Sequence, residues 1–404
     1  MKVITDKNKI NNLLTRAIEQ VYPSREALEK ALSSGKQLTL YTGIDPTGPE
    51  IHLGHAVFLK KLREFQDLGH KVILLIGDFT GMIGDPTGKY SQREVLTPAQ
   101  IKKNEKNYLR DIGRILNFKG ANKAVVKHNS KWLSKLKFAD ILEILTHVTV
   151  QQMIERDMFE QRIKAGKPIS LHEFMYPVMQ GYDSVAMNVD LEVGGSDQTF
   201  NMLMGRTFMK ALKKKEKFVL TTPLLTDSSG KKIGKTEGNV IAVSDKPEEL
   251  YGKIMALGDD VIIKMFELCT DVPMDEIKKM EKEMKSGANP RDFKMKLAFT
   301  VVEQYNNKDA AQAAEKHFKG LFQAKETPDE MKILKTSKDK INIIDVLVES
   351  GLCASKGDAK RNIEQGGVKA EGHILEGWDV DIMPTAEGVV IQKGKRHFVR
   401  VIKK

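Results

Sequence analysis

Apolar and polar positions recur on two different periods in the first half of the chain. Leu38–Ile44 is a short apolar run closed by Gly43 and Asp45-Pro46, which predicts a strand. Val72–Ile76 is uninterrupted, partly β-branched and followed by Gly77, the pattern of a strand buried on both faces. Between them Phe58, Leu62, Phe65 and Leu68 recur at helical spacing. Strand, helix and strand in that order make a βαβ unit, which requires a parallel sheet. Leu191-Glu192-Val193, then Gly194-Gly195 and the helical stretch Gln198–Lys215, predict a second strand–turn–helix. Residues 99–190 lie between the two units and read mostly as helices, an insertion between halves of a sheet.

The pattern changes near residue 245. From 246 to 335 the spacing is helical only: Pro247–Leu257, Asp260–Cys269, Met274–Lys285, Pro290–Tyr305 and Ala310–Phe322, with the polar stretch Glu326–Lys340 reading as a linker. A small α+β unit is expected over 336–404. Its first helix, Ile341–Ser350, ends at Gly351. A second starts at Ser355, where Asp358 three residues on completes a capping signal, and stops at Gly366-Gly367. Short strands follow from Val368, with turns at Glu371-Gly372 and Lys393-Gly394. No internal repeat is present.

Composition narrows the function classes. With 404 residues, 41% of them apolar and 29% charged, the chain can bury a sizeable core and is not disordered. No apolar run approaches the ~18 residues of a membrane span, so no membrane partner is expected. The start, MKVITDKNKINNLL, has neither an apolar core segment nor a small-residue cleavage site, so a cytoplasmic setting is expected. Two cysteines, Cys269 and Cys353, make neither a disulfide framework nor a Cys-only metal site. The net charge of +11 favours a polyanionic partner only weakly. The basic runs Lys210–Lys217 and Lys393–Lys404 each read, taken alone, as solvated faces.

Three segments carry candidate chemistry. His52-Leu53-Gly54-His55 opens the helix of the first βαβ unit. A zinc-binding pair prefers i, i+4 spacing, and this pair is at i, i+3, so no protein-bound metal is expected. A helix N-terminus after a parallel strand offers free N–H groups and a positive dipole end to phosphate. The second strand runs into Gly77–Gly88, whose glycines do not fit G-x-G-x-x-G, leaving a tight Gly/Asp-Pro loop as the simpler reading. Ser228–Gly238 is polar and Gly-rich, with Lys232 and Lys235 three apart. It is not a Walker loop, and it reads either as a mobile phosphate clamp or as a solvated lysine loop.

Together these segments resemble those of the class I aminoacyl-tRNA synthetases, and among them the bacterial-type tyrosyl-tRNA synthetases. His52–His55 resembles the family's HIGH motif with Leu for Ile. Lys232–Thr236 resembles its KMSKS motif, keeping both lysines and a final hydroxyl. Tyr41–Thr47, Gly84-Asp85-Pro86, Tyr176–Asp183 and Gly194–Gln198 are similar to further family blocks, in the right order. One departure is Thr199, where an aromatic residue is frequent. The resemblance implies an α/β fold: a Rossmann-like parallel-sheet catalytic domain over 1–245 with a helical insertion at 99–190. An all-α anticodon-side domain plus linker (246–335) and an S4-like RNA-binding domain (336–404) follow.

The implied activity is tyrosine–tRNA ligation, with ATP, L-tyrosine, tRNA(Tyr) and Mg²⁺ accompanying ATP. By resemblance, Asp183 and Tyr41 take the substrate's phenol, while Tyr176, Gln180 and Asp85 hold its ammonium group, with Thr80 and Gln198 in the same pocket. Thr47 and His52 bind the leaving phosphates, and Lys232, Lys235 and Thr236 close over them. Gly43, Gly54, His55 and Gly195 border the adenosine, with Asp197 on the ribose and Asp45 near the reacting centre. Lys356, Lys360 and Arg361 are the implied RNA contacts. The resemblance also implies a homodimer joined near Asp140–Phe159. A tryptophanyl enzyme, a small nucleotidyltransferase, and a non-catalytic RNA-binding or splicing cofactor with the same fold are the alternatives.

Overall fold

The computed structural model describes residues 2–85, 96–227, 229–233, 240–322, 331–394 and 397–404. Two compact units divide the chain, one up to Ala311 and one from Gln312 onward. In the first, six strands among the described residues form one sheet: β1 (Gln20–Tyr22), β2 (Thr39–Ile44), β3 (Lys71–Ile76), β4 (Val125–His128), β5 (Leu191–Gly195) and β6 (Phe218–Thr222). Their order is β1-β6-β5-β2-β3-β4. Only β1 runs antiparallel, beside β6; the other pairs are parallel. The chain leaves β2 towards β3 and β4, then returns to its other side with β5 and β6. That reversal opens a crevice beyond the carboxyl ends of β2 and β5.

The Leu53–Asp67 helix crosses from β2 to β3 and buries Leu53, Ala56, Val57, Leu59, Leu62 and Phe65 at helical spacing. Val72–Ile76 is buried throughout, as a central parallel strand must be. The 99–190 segment is mostly helical, as read, but also holds a strand. It contains β4, which pairs with β3 from Ile73↔Val125 to Ile76↔His128. Val125-Val126-Lys127-His128 is only half apolar because an edge strand needs one covered face. The segment ends in the 17-residue helix Leu171–Met187. Gly181 lets it lie close on the Thr199–Lys213 helix, since a Cβ there would stand 2.8 Å from the Phe208 ring.

The helices Pro247–Met255, Ile262–Cys269, Met274–Lys285 and Pro290–Tyr305 fall in the same compact unit as the sheet. Arg16 fastens one of them by donating to the carbonyls of Phe266, Glu267, Thr270 and Val272 at 2.6–3.0 Å. It thereby satisfies carbonyls at a helix C-terminus, alongside the Thr270 hydroxyl on Phe266 and the Gln304 amide on Cys269.

In the second unit β7 (Lys332–Thr336), β9 (Val368–Ala370), β10 (His373–Ile374), β12 (Val389–Lys393) and β13 (His397–Lys403) form a sheet of order β10-β9-β12-β13-β7. A two-stranded piece pairs β8 (Ile341–Asn342) with β11 (Asp381–Ile382). The helices Ile343–Glu349 and Lys356–Glu364 complete a core of Ile343, Val346, Leu347, Ile363, Ile391, Val399 and Val401. β7 lies in the stretch that reads as a linker, parallel to β13. Its pattern is mostly exposed, so it carries little hydrophobic signal.

A buried histidine gives the first unit a pH dependence. His70 is fully covered, its Nδ1 accepts the Leu38 N–H at 3.2 Å, and burial lowers its imidazole to about 4. In the unfolded chain the same ring takes a proton near 6.5. Between those values the unfolded state binds more protons. Stability is therefore full above about 6.5 and declines as pH falls towards 4. Chemical denaturation at pH 7 and pH 5 should show this loss, and His70→Gln should lessen it.

Candidate functional site

The polar groups gather at the carboxyl end of β2. Asp45 follows the strand and accepts the Thr80 hydroxyl at 2.7 Å and the Tyr176 hydroxyl at 2.8 Å. Gly77, at the end of β3, makes room for this. A Cβ there would fall 1.8 Å from Asp45 Oδ1 and 2.4 Å from Thr80 Oγ1. Burial, then Asp45 and Asp85, push the Tyr176 phenol well above its ordinary value, so it remains a donor.

About two turns further along its helix, Asp183 is buried. It accepts the Trp132 indole N–H at 2.7 Å and the Asn129 amide at 3.3 Å, and Asn129 also donates to Thr80 at 3.0 Å. Burial raises the Asp183 carboxyl well above the usual range, against those two donors. Tyr41 does not bond Asp183. Its hydroxyl lies 2.8 Å from Ser184 Oγ. Gln180 donates to Glu192 at 3.2 Å. Asp85 accepts the Arg156 guanidinium at 2.8 Å and the Gln198 amide at 2.8 Å, and Gln198 is held in turn by Asn201 at 2.9 Å.

A second cluster sits at the N-terminus of the Leu53–Asp67 helix. His52 is its cap, and the rings of His52 and His55 stack with centroids 3.7 Å apart. The His52 N–H donates to His55 Nδ1 at 3.3 Å. A Cβ on Gly54 would press on the His52 ring at 3.0 Å and lie 4.0 Å from the Ile233 carbonyl, so the lysine loop passes over this turn at Ile233. The chain after that loop returns to pair with the cap: Leu53 N–H donates to Ile241 at 3.0 Å and Val243 N–H to Ile51 at 2.9 Å. Lys232 reaches Asp197 at 2.7 Å. A Cβ on Gly195 would stand 2.8 Å from Asp197. Thr47 turns back on Asp45, its N–H donating to the Asp45 carbonyl at 2.8 Å. Gly43 is an exposed position within β2. Lys235 and Thr236 lie outside the described residues, as do positions 86–95 after Asp85.

The structure thus brings Asp45, Thr80, Tyr176 and Asp183 into one network and places Asp85 with Gln198. Six contributors are absent from the sequence reading: Asn129, Trp132, Arg156, Ser184, Glu192 and Lys217. Lys217 corrects it outright. It belongs to the basic run read as a solvated face, yet it is fully buried against Glu192. The available signal was Glu192 itself, an acid inside an apolar strand that needs a partner. In the second unit Lys356 pairs with Asp345 at 2.9 Å, Lys360 lies 3.9 Å over the Trp378 ring, and Arg361 lies 3.9 Å from Asp358.

The strand order, the helix N-terminus and the polar crevice at the switch point define the class: a doubly wound α/β enzyme of the nucleotide-binding kind. Comparison with known proteins narrows it. The profile of the tRNA synthetases class I (W and Y) matches residues 33–323, and that of the tyrosine–tRNA ligase SYY-like C-terminal domain matches residues 323–401. A tyrosine–tRNA ligase of Thermotoga maritima is 43% identical over 391 residues, covering 96% of both chains. Tyrosine–tRNA ligase 2 of Clostridium acetobutylicum is 42% identical over 407 residues, covering the whole of each. The crystal structure of a C-terminally truncated mitochondrial tyrosyl-tRNA synthetase from Coccidioides posadasii superposes with a TM-score of 0.63 at 28% identity. The match covers 77% of this chain and 92% of that one. The chain belongs to the class I tRNA synthetase family of the tryptophan and tyrosine enzymes.

Proposed function

We propose that this chain is a tyrosine–tRNA ligase that uses ATP to activate tyrosine and then transfers it to tRNA. The observation that carries the reading is identity of 42–43% over nearly the full length with tyrosine–tRNA ligases. The buried acceptor Asp183 supports tyrosine as the amino acid. An indole has no hydroxyl to divide between Asp183 and Tyr41, which disfavours tryptophan.

In the first step the tyrosine carboxylate attacks the α-phosphorus of ATP, forming tyrosyl-adenylate and releasing pyrophosphate. The carboxylate is already ionised, so no general base is needed. The residues act by positioning and by stabilising charge. Thr47 and His52 bind the leaving phosphates, with the helix N-terminus adding its dipole. Lys232, Lys235 and Thr236 close over the pyrophosphate. Gly43, Gly54, His55 and Gly195 border the adenosine, and Asp197 takes the ribose. Lys232 lies 2.7 Å from Asp197, a pair that a bound nucleotide would part, taking its phosphates to the lysine and its ribose to the carboxylate. Asp85, Tyr176, Gln180 and Gln198 receive the ammonium end, with Thr80 and Asp45 behind them. Mg²⁺ accompanies the ATP phosphates. Among the described residues no group of three His, Cys, Asp or Glu is arranged to hold a metal ion. In the second step a terminal ribose hydroxyl of tRNA(Tyr) attacks the adenylate carbonyl. Lys356, Lys360 and Arg361 contact RNA phosphates, a sequence-independent and salt-sensitive term. No described helix is long and apolar enough to cross a membrane, and the setting we propose is the cytoplasm.

The working form we propose is a homodimer. Phe138, Leu142, Val150 and Leu171 are 50–84% exposed, four large apolar side chains left uncovered within residues 138–171. Light scattering at micromolar concentration should give twice the chain mass, and Phe138→Asp with Leu142→Asp should give a monomer. A monomeric parent contradicts the dimer.

Amino-acid-dependent ATP–pyrophosphate exchange tests the function. Tyrosine should support exchange, and tryptophan and phenylalanine should not. Exchange with tryptophan instead moves the chain to the other branch of its family.

A further inference from the structure

Beside the proposed tyrosine pocket lies a second polar cluster that none of the steps above uses. Lys217, the residue before β6, is fully buried. Its ammonium donates to the Glu192 carboxylate, to Ser184 Oγ at 2.8 Å and to the Met202 carbonyl at 3.1 Å. Three N–H bonds meet three acceptors. Ser184, also fully buried, is the group 2.8 Å from the Tyr41 hydroxyl. The other Glu192 oxygen takes the Gln180 amide. Gly205 makes the space: a Cβ there would fall 2.5 Å from Lys217 Nζ and 2.6 Å from Ser184 Oγ. Burial lowers the Lys217 ammonium from its ordinary value, and Glu192 and Asp183 oppose that. Burial, then Glu192 and Asp183, push the Tyr41 phenol well up, so Tyr41 keeps its proton.

The bond between Lys217 and Ser184 has one polarity, because an ammonium cannot accept. Ser184 therefore accepts from Lys217 and keeps one proton of its own, with the Tyr41 oxygen in reach. Given to the Tyr41 oxygen 2.8 Å away, that proton makes a donor chain from Lys217 through Ser184 to Tyr41, which leaves the Tyr41 O–H to donate onward. We propose that Ser184 and Lys217 are positioning residues that fix Tyr41 as a donor to the substrate's phenolic oxygen and so set the discrimination between tyrosine and phenylalanine. This rests on the tyrosine-ligase reading. Asp183 then accepts a hydrogen bond from the phenol O–H while Tyr41 donates one to the phenol oxygen, so the hydroxyl is read twice. Glu192 keeps the buried cation paired, as an interior charge requires.

The test is ATP–pyrophosphate exchange on the full-length parent, Ser184→Ala, Tyr41→Phe and the double variant, each with tyrosine and with phenylalanine. Ser184→Ala should raise the tyrosine KM about tenfold, the size of one hydrogen bond, with kcat much less affected. The tyrosine-to-phenylalanine ratio of kcat/KM should fall by about the same factor. In the Tyr41→Phe background, Ser184→Ala should add less than about twofold, because the bond it serves is gone. If the alanine variant does not fold, Ser184→Cys, close in volume and a weak donor, carries the same comparison. A ratio within about twofold of the parent's, or losses that simply add, overturns the proposal. A parent with no tyrosine-dependent exchange overturns the tyrosine reading instead.

Discussion

Asp183→Ala is expected to lower tyrosine-dependent ATP–pyrophosphate exchange on the order of 100-fold or more while the protein stays folded. Asp183 is 2% exposed and is held by Trp132 and Asn129, so its carboxylate cannot turn to another partner. Its removal takes away the acceptor proposed for the substrate's phenol and leaves two buried N–H donors unpaired. Hydrogen bonds to a charged group contribute ~1.5–3 kcal/mol each, which sets the scale of the loss. The effect on stability is smaller. Burial already disfavours the charged carboxylate, as the rise of its pKa shows, and deleting it relieves that cost while it strands the donors. Exchange kinetics together with a thermal melt check both halves. A folded variant within about threefold of the parent would remove Asp183 from the pocket we propose.

Gly77→Ala should damage both stability and activity. The new Cβ would overlap Asp45 Oδ1 at 1.8 Å and Thr80 Oγ1 at 2.4 Å. Either Asp45 swings out, breaking its bonds to Thr80 and Tyr176, or the end of β3 moves. Gly77 N–H donates to Ile44 at 3.0 Å, so that movement costs a sheet bond as well. Overpacking of this kind costs ~1–3 kcal/mol. Exchange should fall on the order of 100-fold, because every displaced group belongs to the network around Asp45. Gly81→Ala is the control. Its nearest neighbours would be 3.7 Å away, ordinary contact, and both readouts should stay near the parent's. Equal behaviour of the two variants would show that the overlap is absorbed without moving Asp45.

The elements with strong periodicity were legible. Val72–Ile76 is buried throughout, the first βαβ helix buries the expected Leu62, Phe65 and Leu68 while Phe58 is half-buried, and helices form over Met274–Lys285 and Pro290–Tyr305 as expected. β4 and β7 were not, because short edge strands bury little and carry little signal. The site divides in the same way. Asp45, Thr80, Tyr176 and Asp183 could be chosen from motifs, and they converge. The groups that hold them could not. Trp132 and Asn129 reach Asp183 from more than 50 positions away, and Arg156 reaches Asp85 across 71. Such contacts depend on how the segment between β4 and β5 folds back, which local spacing does not encode. Lys217 shows the opposite error. It closes a run of charged residues, and only its place at the mouth of β6, next to Glu192 and below Tyr41, turns it inward.

The most direct measurement is attachment of labelled tyrosine to tRNA by the purified chain with ATP and Mg²⁺, run beside tryptophan. The account predicts tyrosine recovered on tRNA over many turnovers, with no tryptophan attached. Folded protein that binds tRNA yet attaches neither amino acid would contradict it, and would make the chain an RNA-binding member of its family rather than a ligase.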